Sequence, residues 1–211
     1  MEILNQLTAA LQIGADKTAA ELTTRALEDG LTPGEILNGG FIAGMNVIGE
    51  KFKRHEIFLP EVLLAARAMQ AGMDLLKPLL SQSDQRGLGT VVIGTVKGDL
   101  HDIGKNLVGI MLKGAGFEVI DLGKDVAPEK FIETAAASGA GVIGLSALLT
   151  TTMLVMKDVV DLLKKQDDLR QVKVIIGGAP ASEEFAREIG ADAYGFDAAS
   201  AVDRVKQLLG A

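Results

Sequence analysis

The sequence predicts an α/β protein in which an N-terminal bundle of four helices precedes a doubly wound parallel sheet of five strands. Three observations lead to this prediction. Apolar residues recur at helical spacing through the first part of the chain, and short apolar runs alternate with helical segments from Thr90 onward. In addition, 17 of the 25 glycines lie after residue 86, where tight turns between strands and helices need them. The polar segment SQSDQRG, residues 81–87, is the expected linker between domains 1–86 and 87–211.

Each predicted helix of the first domain has an apolar stripe and a boundary signal. The first places its apolar side chains between residues 3 and 11, and the second runs over residues 16–29 and stops at a glycine. The third opens with TPGE, in which Thr32 caps the helix and Glu35 completes a capping box. The fourth begins near Pro60. The buried stripes of the last two helices are Phe41, Met45, Ile48 and Phe52, and Val62, Ala66, Met69, Met73 and Leu76.

The second domain contains five short runs typical of buried strands. They are TVVIGTV, FEVIDLG, GVIGLSA, VKVIIGG and ADAYGF. Continuous apolar runs are buried on both faces, so we expect a parallel sheet of the flavodoxin or Rossmann type. Ligands of such sheets bind at the carboxyl ends of the strands. The loops KGDLHDIGKN, SALLTTT and GGAPAS follow the first, third and fourth strands and are expected to converge on one crevice.

Composition excludes several classes of function. A net charge of −7 and an aromatic content of 4% argue against binding to nucleic acid, which needs a cationic surface and stacking side chains. No apolar run is long enough for a membrane span, and the N-terminal sequence lacks the basic region of a signal peptide, so we expect a cytoplasmic protein. The absence of cysteine excludes disulfides, zinc ribbons and thiol nucleophiles.

His101 is one of only two histidines, and it stands at the predicted turn from the first strand into a helix. Asp99 precedes it by two residues, and Gly104 follows it by three. A metal-binding imidazole usually donates its second N–H to a carboxylate, which makes Asp99 a candidate partner. Gly104 would let the backbone approach a bulky ligand or the neighbouring strand. The alternative is that His101 caps a helix or fills a loop.

Three motifs point to a known family. The segments DLHDIG, GLSALLT and GGAP occur in this order, each after a predicted strand. With them the sequence resembles the cobalamin-binding module of methionine synthase and, over nearly its whole length, the corrinoid proteins of anaerobic methyltransferase systems. Neither G-x-G-x-x-G after the first strand nor a Walker motif is present, which disfavours a dinucleotide or nucleoside triphosphate site.

The resemblance implies a role for each motif residue. His101 would replace dimethylbenzimidazole as the lower axial ligand of cobalt, and Asp99 would be its hydrogen-bond partner. Thr152 occupies the position of a serine that completes this relay in methionine synthase, and its extra methyl group leaves the strength of the relay open. For the glycines of GGAP, an ordinary strand-to-helix turn is an equal alternative. The remaining residues implied to contact the corrinoid or its nucleotide tail are Asp102, Gly104, Ser146, Leu148, Thr150, Gly177, Gly178 and Ala179.

The helical domain resembles the cap module of methionine synthase. The stretch GEKFKRHEIFLPEVLLAARAM contains Phe52 and Leu59, which match the spacing of a phenylalanine and a leucine that shield the methyl face of the corrin in that family. Their alternative role is ordinary packing in the bundle core. His55 departs from the usual glycine-bearing loop and is expected to be an exposed loop residue.

The resemblance also implies a function. The cofactor would be cobalamin or a related corrinoid, bound base-off and His-on, with methylcobalamin as the loaded state. The protein would carry a methyl group from a substrate:corrinoid methyltransferase to a methylcorrinoid:acceptor methyltransferase that uses tetrahydrofolate or coenzyme M, with a reductive activase as a third partner. It would not be an enzyme on its own. Residues 81–87 are the expected hinge for cap movement.

Three other functions are alternatives to methyl carriage. A cobalamin-dependent sensor needs an output domain, and no segment remains for a helix-turn-helix. A small subunit of an adenosylcobalamin mutase would use the same histidine motif, but the preceding helical bundle favours methyl carriage. A flavodoxin-like domain without a corrinoid is disfavoured by the combined motifs.

Overall fold

The structure is a computed structural model that describes residues 2–80 and 87–210, and the chain divides near residue 87 into a helical unit and an α/β unit. The helices are α1 (Glu2–Gln12), α2 (Asp16–Glu28), α3 (Pro33–Ile36), α4 (Ala43–Lys53), α5 (Leu59–Leu76), α6 (Ile103–Gly114), α7 (Pro128–Ser138), α8 (Val155–Leu163), α9 (Glu183–Ile189) and α10 (Ala198–Leu209). The strands are β1 (Thr90–Thr95), β2 (Glu118–Asp121), β3 (Val142–Ser146), β4 (Lys173–Gly177) and β5 (Ala193–Gly195). None of these helices is long and apolar enough to cross a membrane.

The predicted linker falls mainly on residues 81–86, which lie outside the described part of the chain. Its boundaries and its role as a hinge therefore stay predictions.

The helical unit confirms the predicted helices and adds one feature. The third predicted helix is continuous from Pro33 to Lys53, but residues 37–42 form a π-helical turn that joins α3 to α4. A Cβ at Gly40 would lie only 2.5 Å from the Leu7 side chain, so this glycine lets the π-helical turn approach α1 closely. The predicted capping box is also confirmed by reciprocal hydrogen bonds between Thr32 and Glu35.

The α/β unit contains the predicted five-stranded sheet, and all four strand pairs are parallel. The strand order is β2-β1-β3-β4-β5, which is the flavodoxin-like order. The connections from β1 and from β3 leave the sheet in opposite directions along this order. The ligand site of such a sheet is expected at this switch point, beyond the carboxyl ends of β1 and β3.

The two faces of the sheet are filled differently. On one face the side chains of β1, β3 and β4 join a core with α7, α8 and α9, which includes Val92, Ile143, Val174, Phe131, Met156 and Phe185. On the other face Ile93, Gly144 and Ile175 lie side by side in register. A cleft opens between this face and helices α6 and α10. Since Gly144 has no side chain, the floor of the cleft is lower at its centre.

Candidate functional site

His101 lies in the loop between β1 and α6, and its backbone is fixed on both sides. Its N–H donates to Asp99 Oδ1 at 3.0 Å, and its carbonyl oxygen accepts a hydrogen bond from the buried Thr95 hydroxyl at 3.0 Å. The next residue, Asp102, directly precedes α6, and its carbonyl oxygen accepts the Asn106 N–H at 2.8 Å. The imidazole itself is 52% exposed. The loop therefore presents a ring with a fixed backbone at the carboxyl edge of the sheet.

The buried carboxylate of Asp99 orients this imidazole. Asp99 Oδ1 lies 2.7 Å from His101 Nδ1, while Oδ2 accepts hydrogen bonds from the Thr152 hydroxyl at 2.6 Å and the Leu148 N–H at 2.8 Å. Burial raises the pKa of the Asp99 carboxyl, but the hydrogen bonds from Thr152, Leu148 and His101 outweigh it and hold the pKa well below its usual range. An ionised Asp99 favours the tautomer with a proton on Nδ1, which leaves Nε2 for a metal.

The Thr152 hydroxyl contacts the Asp99 carboxylate in the structure. Thr152 follows β3 and its side chain is buried. Its hydroxyl oxygen lies 2.6 Å from Asp99 Oδ2 and 3.1 Å from the Leu149 carbonyl oxygen, so its single hydrogen is assigned to the shorter contact, with Asp99. The extra methyl group of threonine does not prevent this hydrogen bond. Thr152, Asp99 and His101 thus form one continuous hydrogen-bonded chain.

The cleft beside this chain has a volume of about 270 Å³. Gly178, at the carboxyl end of β4, illustrates how closely its rim is packed. Its φ is +113°, and a Cβ at this position would lie 1.9 Å from the Ala147 carbonyl oxygen, so the position requires glycine. The sequence-predicted residues that line the cleft are Gly104, Ser146, Gly177, Gly178 and Ala179.

Comparison with known proteins identifies the family. Residues 89–203 match the model of the B12 binding domain, and residues 3–77 match the model of a second B12 binding domain family. The dimethylamine corrinoid protein 1 of Methanosarcina acetivorans is 46% identical over 209 residues, which cover 99% of this chain and 98% of that protein. The chain belongs to the corrinoid proteins with a B12 binding domain. The trimethylamine corrinoid protein 1 of Methanosarcina mazei is 43% identical over 99% of this chain and 97% of its own length.

Solved structures place this corrinoid protein in the same group. The methanol:cobalamin methyltransferase complex MtaBC from Methanosarcina barkeri contains a chain that matches with a TM-score of 0.90 and 29% identity, covering 99% of this chain and 80% of that one. A cobalamin-binding protein from Desulfitobacterium hafniense matches with a TM-score of 0.79 and 33% identity, covering 97% and 98% of the two chains.

The side chains of the corrinoid protein fit the cofactor of its family. Nδ1 of His101 is occupied by Asp99, so Nε2 is the nitrogen that a metal would take. The mainly apolar cleft can accept an elongated group at the same edge, where glycines keep its rim open. Large apolar side chains are exposed at this edge in the α/β unit, as expected for contact with a flat macrocycle. We call Leu100, Ile103, Leu148, Leu149 and Phe196 the apolar collar.

Several cleft residues of the corrinoid protein were not predicted from the sequence. Tyr194, Gly195 and Phe196 come from β5 and the loop after it, and they line the cleft with apolar residues of α6 and α10. The run ADAYGF ends at the same edge as the other strands, and this was the signal available in the sequence. Lys105 is a further wall residue, and its buried ammonium group contacts both carboxylate oxygens of Asp121 at 2.5 and 2.6 Å.

Other predicted residues take different places in the corrinoid protein. Leu148 reaches Asp99 through its backbone N–H and does not line the cleft, and the exposed Thr150 is also outside the cleft lining. Asp102 serves as the first acceptor of α6. Gly104 lines the cleft, but a Cβ there would meet no described atom within 4 Å, so it does not provide close contact with the neighbouring strand.

The predicted cap residues lie in the helical unit. Phe52 is near the end of α4, Leu59 begins α5, and both are half-buried, so neither is a fully buried core residue. His55, in the loop between these helices, is exposed as expected and has a left-handed φ of 58°.

Proposed function

We propose that this corrinoid protein carries a methyl group between a substrate:corrinoid methyltransferase and a methylcorrinoid:acceptor methyltransferase. The observation that carries the proposal is the Thr152–Asp99–His101 chain, which leaves an oriented imidazole nitrogen at the exposed edge of the sheet beside a cleft. Relatives that match nearly the full length of this chain are named dimethylamine and trimethylamine corrinoid proteins. A related chain occurs in a methanol:cobalamin methyltransferase complex.

Each part of the site has a role in this proposal. The cobalt of the bound corrinoid supplies the chemistry, since it can accept a methyl group and give it up again. His101 Nε2 would be the lower axial ligand, with the corrinoid base-off and His-on, and Asp99 would hold the ring in the required tautomer. The cleft, with Ser146, Gly177, Gly178 and Ala179 on its rim, would hold the nucleotide tail.

The hydrogen-bonded chain also provides for a proton. If Nε2 of His101 were released from a bound metal, a proton taken up there would be balanced by the Asp99 carboxylate, which lies 2.7 Å from Nδ1. The Thr152 hydroxyl stabilises that carboxylate in both situations. Ligation and protonation of His101 would therefore be coupled through Asp99 and Thr152.

We further propose that the partner methyltransferase selects the methyl donor. Relatives named for dimethylamine and for trimethylamine are 46% and 43% identical to this chain, so similarity to one carrier does not single out a donor. The acceptor would be tetrahydrofolate or coenzyme M, and a reductive activase would restore an oxidised cofactor.

The helical unit would act as the cap of the corrinoid. Phe52 and Leu59 are half-buried side chains at the loop between α4 and α5, and we propose that they shield the methyl face. Movement of the cap would occur at residues 81–87, between domains 1–86 and 87–211. A cross-link between the two domains that left methyl transfer rates unchanged would contradict this hinge.

Radiolabelled methyl loading tests the proposed function. Protein loaded with cobalamin is reduced with titanium(III) citrate, treated with ¹⁴C-methyl iodide and desalted. We expect the label to elute with the protein in the dark and to be released by light, which cleaves the bond between carbon and cobalt. The proposal fails if the wild-type protein takes up no cobalamin or if the label elutes only with small molecules.

A further inference from the structure

Asp125 holds both ends of the Gly98–Asp99 segment. Its Oδ1 accepts a hydrogen bond from the Gly98 N–H at 2.8 Å, and its own N–H donates to the Asp99 carbonyl oxygen at 3.0 Å. Asp125 belongs to the connection between β2 and α7 and is 27 residues away from Gly98 in the chain. A residue from a separate loop therefore fixes the backbone that carries the buried carboxylate.

We propose that Asp125 is a positioning residue for the Asp99–His101 pair, an inference that rests on the proposed function. Asp99 must direct one carboxylate oxygen at the imidazole and the other at Thr152, at 2.7 and 2.6 Å. Both distances depend on where the Asp99 backbone lies. Asp125 reaches neither the imidazole nor the cleft lining, so it acts on the ligand only through the position of Asp99.

The backbone of Asp125 indicates that its surroundings hold it in place. Its φ is 56°, in the left-handed region that is unfavourable for a residue with a Cβ and that aspartate tolerates better than most. Among residues 2–80 and 87–210, His55 is the other non-glycine residue with a positive φ. A disfavoured conformation persists where the hydrogen bonds around it outweigh its cost.

The ion pair of Asp125 with Lys97 does not account for the arrangement. The ammonium group lies 3.2 Å from Oδ1, but the two side chains are 58% and 43% exposed, and a pair this exposed is weak. The hydrogen bond from the Gly98 N–H, and to a smaller extent the one from the Lys97 ammonium group, hold the pKa of the Asp125 carboxyl below its usual range. The carboxylate is therefore ionised at neutral pH. A charged acceptor strengthens the hydrogen bond from Gly98.

Four variants separate positioning from other effects. Asp125→Gly removes the acceptor for Gly98 while relieving the left-handed backbone, so we expect it to fold. Asp125→Asn keeps an oxygen that can accept the same hydrogen bond, and Lys97→Gln removes only the ion pair. His55→Gly is the matched control, because it introduces glycine at the other left-handed position, in the helical unit.

The readout is the Nδ1–H of His101 in protein without corrinoid. NMR of ¹⁵N-histidine-labelled protein resolves two rings, and His101→Ala assigns the relevant signal. We expect Nδ1–H of His101 to exchange with solvent between about twofold and tenfold faster in Asp125→Gly, the range that follows from weakening one hydrogen bond. Lys97→Gln and His55→Gly should exchange at the wild-type rate, and Asp125→Asn should lie between wild type and Asp125→Gly, because its neutral oxygen accepts a weaker hydrogen bond. The thermal midpoint of Asp125→Gly should not fall.

Equal exchange rates in Asp125→Gly and wild type would overturn the proposal. Acceleration of the same size in His55→Gly would also overturn it, because chain flexibility alone would then explain the effect. If Asp125→Gly lacks a cooperative thermal transition, Asp125→Asn, which tolerates the left-handed backbone, takes its place and must exchange faster than wild type. Since the measurement uses protein without corrinoid, its result is independent of cobalamin uptake and methyl loading, which test the proposed function.

Discussion

Asp99 connects two loops of the α/β unit through a single buried carboxylate. Its oxygens contact the imidazole of its own loop. They also accept hydrogen bonds from the Thr152 hydroxyl and from the N–H groups of Leu148 and Leu149, which follow β3. These donors come from segments about fifty residues apart in the chain. The orientation of His101 therefore depends on the correct pairing of β1 with β3.

The Thr152 hydroxyl gives the first prediction. Thr152→Val leaves the buried Asp99 carboxylate with one donor fewer, so we expect the free energy of unfolding to fall by about 2 kcal/mol. Thr152→Ser keeps the donor and loses only a methyl group, so it should cost about 1 kcal/mol or less. Urea denaturation measures both values. A valine variant as stable as wild type would show that the hydrogen bond at 2.6 Å contributes little.

The backbone at Gly178 gives the second prediction. Gly178→Ala places a Cβ 1.9 Å from the Ala147 carbonyl oxygen at a φ of +113°, so we expect a loss of at least about 2 kcal/mol in the free energy of unfolding. Gly104→Ala is the matched control on the same cleft, because its Cβ meets no described atom within 4 Å and it should change stability by less than about 0.5 kcal/mol. Equal stability of the two variants would contradict the close approach at Gly178.

At the scale of elements, the five strands and the helical bundle follow from local patterns, which is why the sequence predicted them. The runs that form β1 and β3 are mostly apolar. The capping box joins Thr32 and Glu35, which are only three residues apart. Strand order was not predicted, because parallel pairing joins segments that are distant in the chain.

The parts of the site that sequence reasoning missed depend on tertiary structure. Phe196 reaches the cleft only because β5 pairs with β4 at the far edge of the sheet, and Asp125 reaches Gly98 across 27 residues. Thr150, which the resemblance assigns to the slot for the nucleotide tail, is exposed after β3 and is not among the residues that line the cleft. Its contact with the corrinoid or its nucleotide tail therefore stays a prediction.

The capping box gives a prediction for pH dependence. The backbone and side-chain hydrogen bonds of Thr32 lower the pKa of Glu35 from 4.5. A lowered pKa means that the ionised group stabilises the fold above the ordinary pKa and that this stabilisation is lost as the pH falls through the folded-state pKa. Wild type should be more stable than Glu35→Gln at pH 7, with a smaller difference at pH 3, in urea denaturation at each pH. A difference that stays constant between the two would contradict this.

At the scale of the molecule, the two units correspond to the two family matches, residues 3–77 and 89–203. The α/β unit supplies the imidazole, the carboxylate that orients it, the cleft and the apolar collar. Phe52 and Leu59, which we propose as cap residues, lie on either side of the loop between α4 and α5 in the helical unit. In the proposed function the α/β unit holds the corrinoid and the helical unit controls access to it.

Electron paramagnetic resonance of the cobalt(II) state tests the central claim, that His101 is the lower axial ligand, most directly. Cobalamin-loaded protein is prepared with natural-abundance histidine and with ¹⁵N-histidine, and the splitting by the axial nitrogen is compared. We predict that ¹⁵N labelling changes this splitting from a triplet to a doublet in wild type and in the control His55→Gln, and that His101→Ala loses the histidine-derived splitting. A triplet that persists after labelling would mean that the nucleotide base, and not His101, binds cobalt.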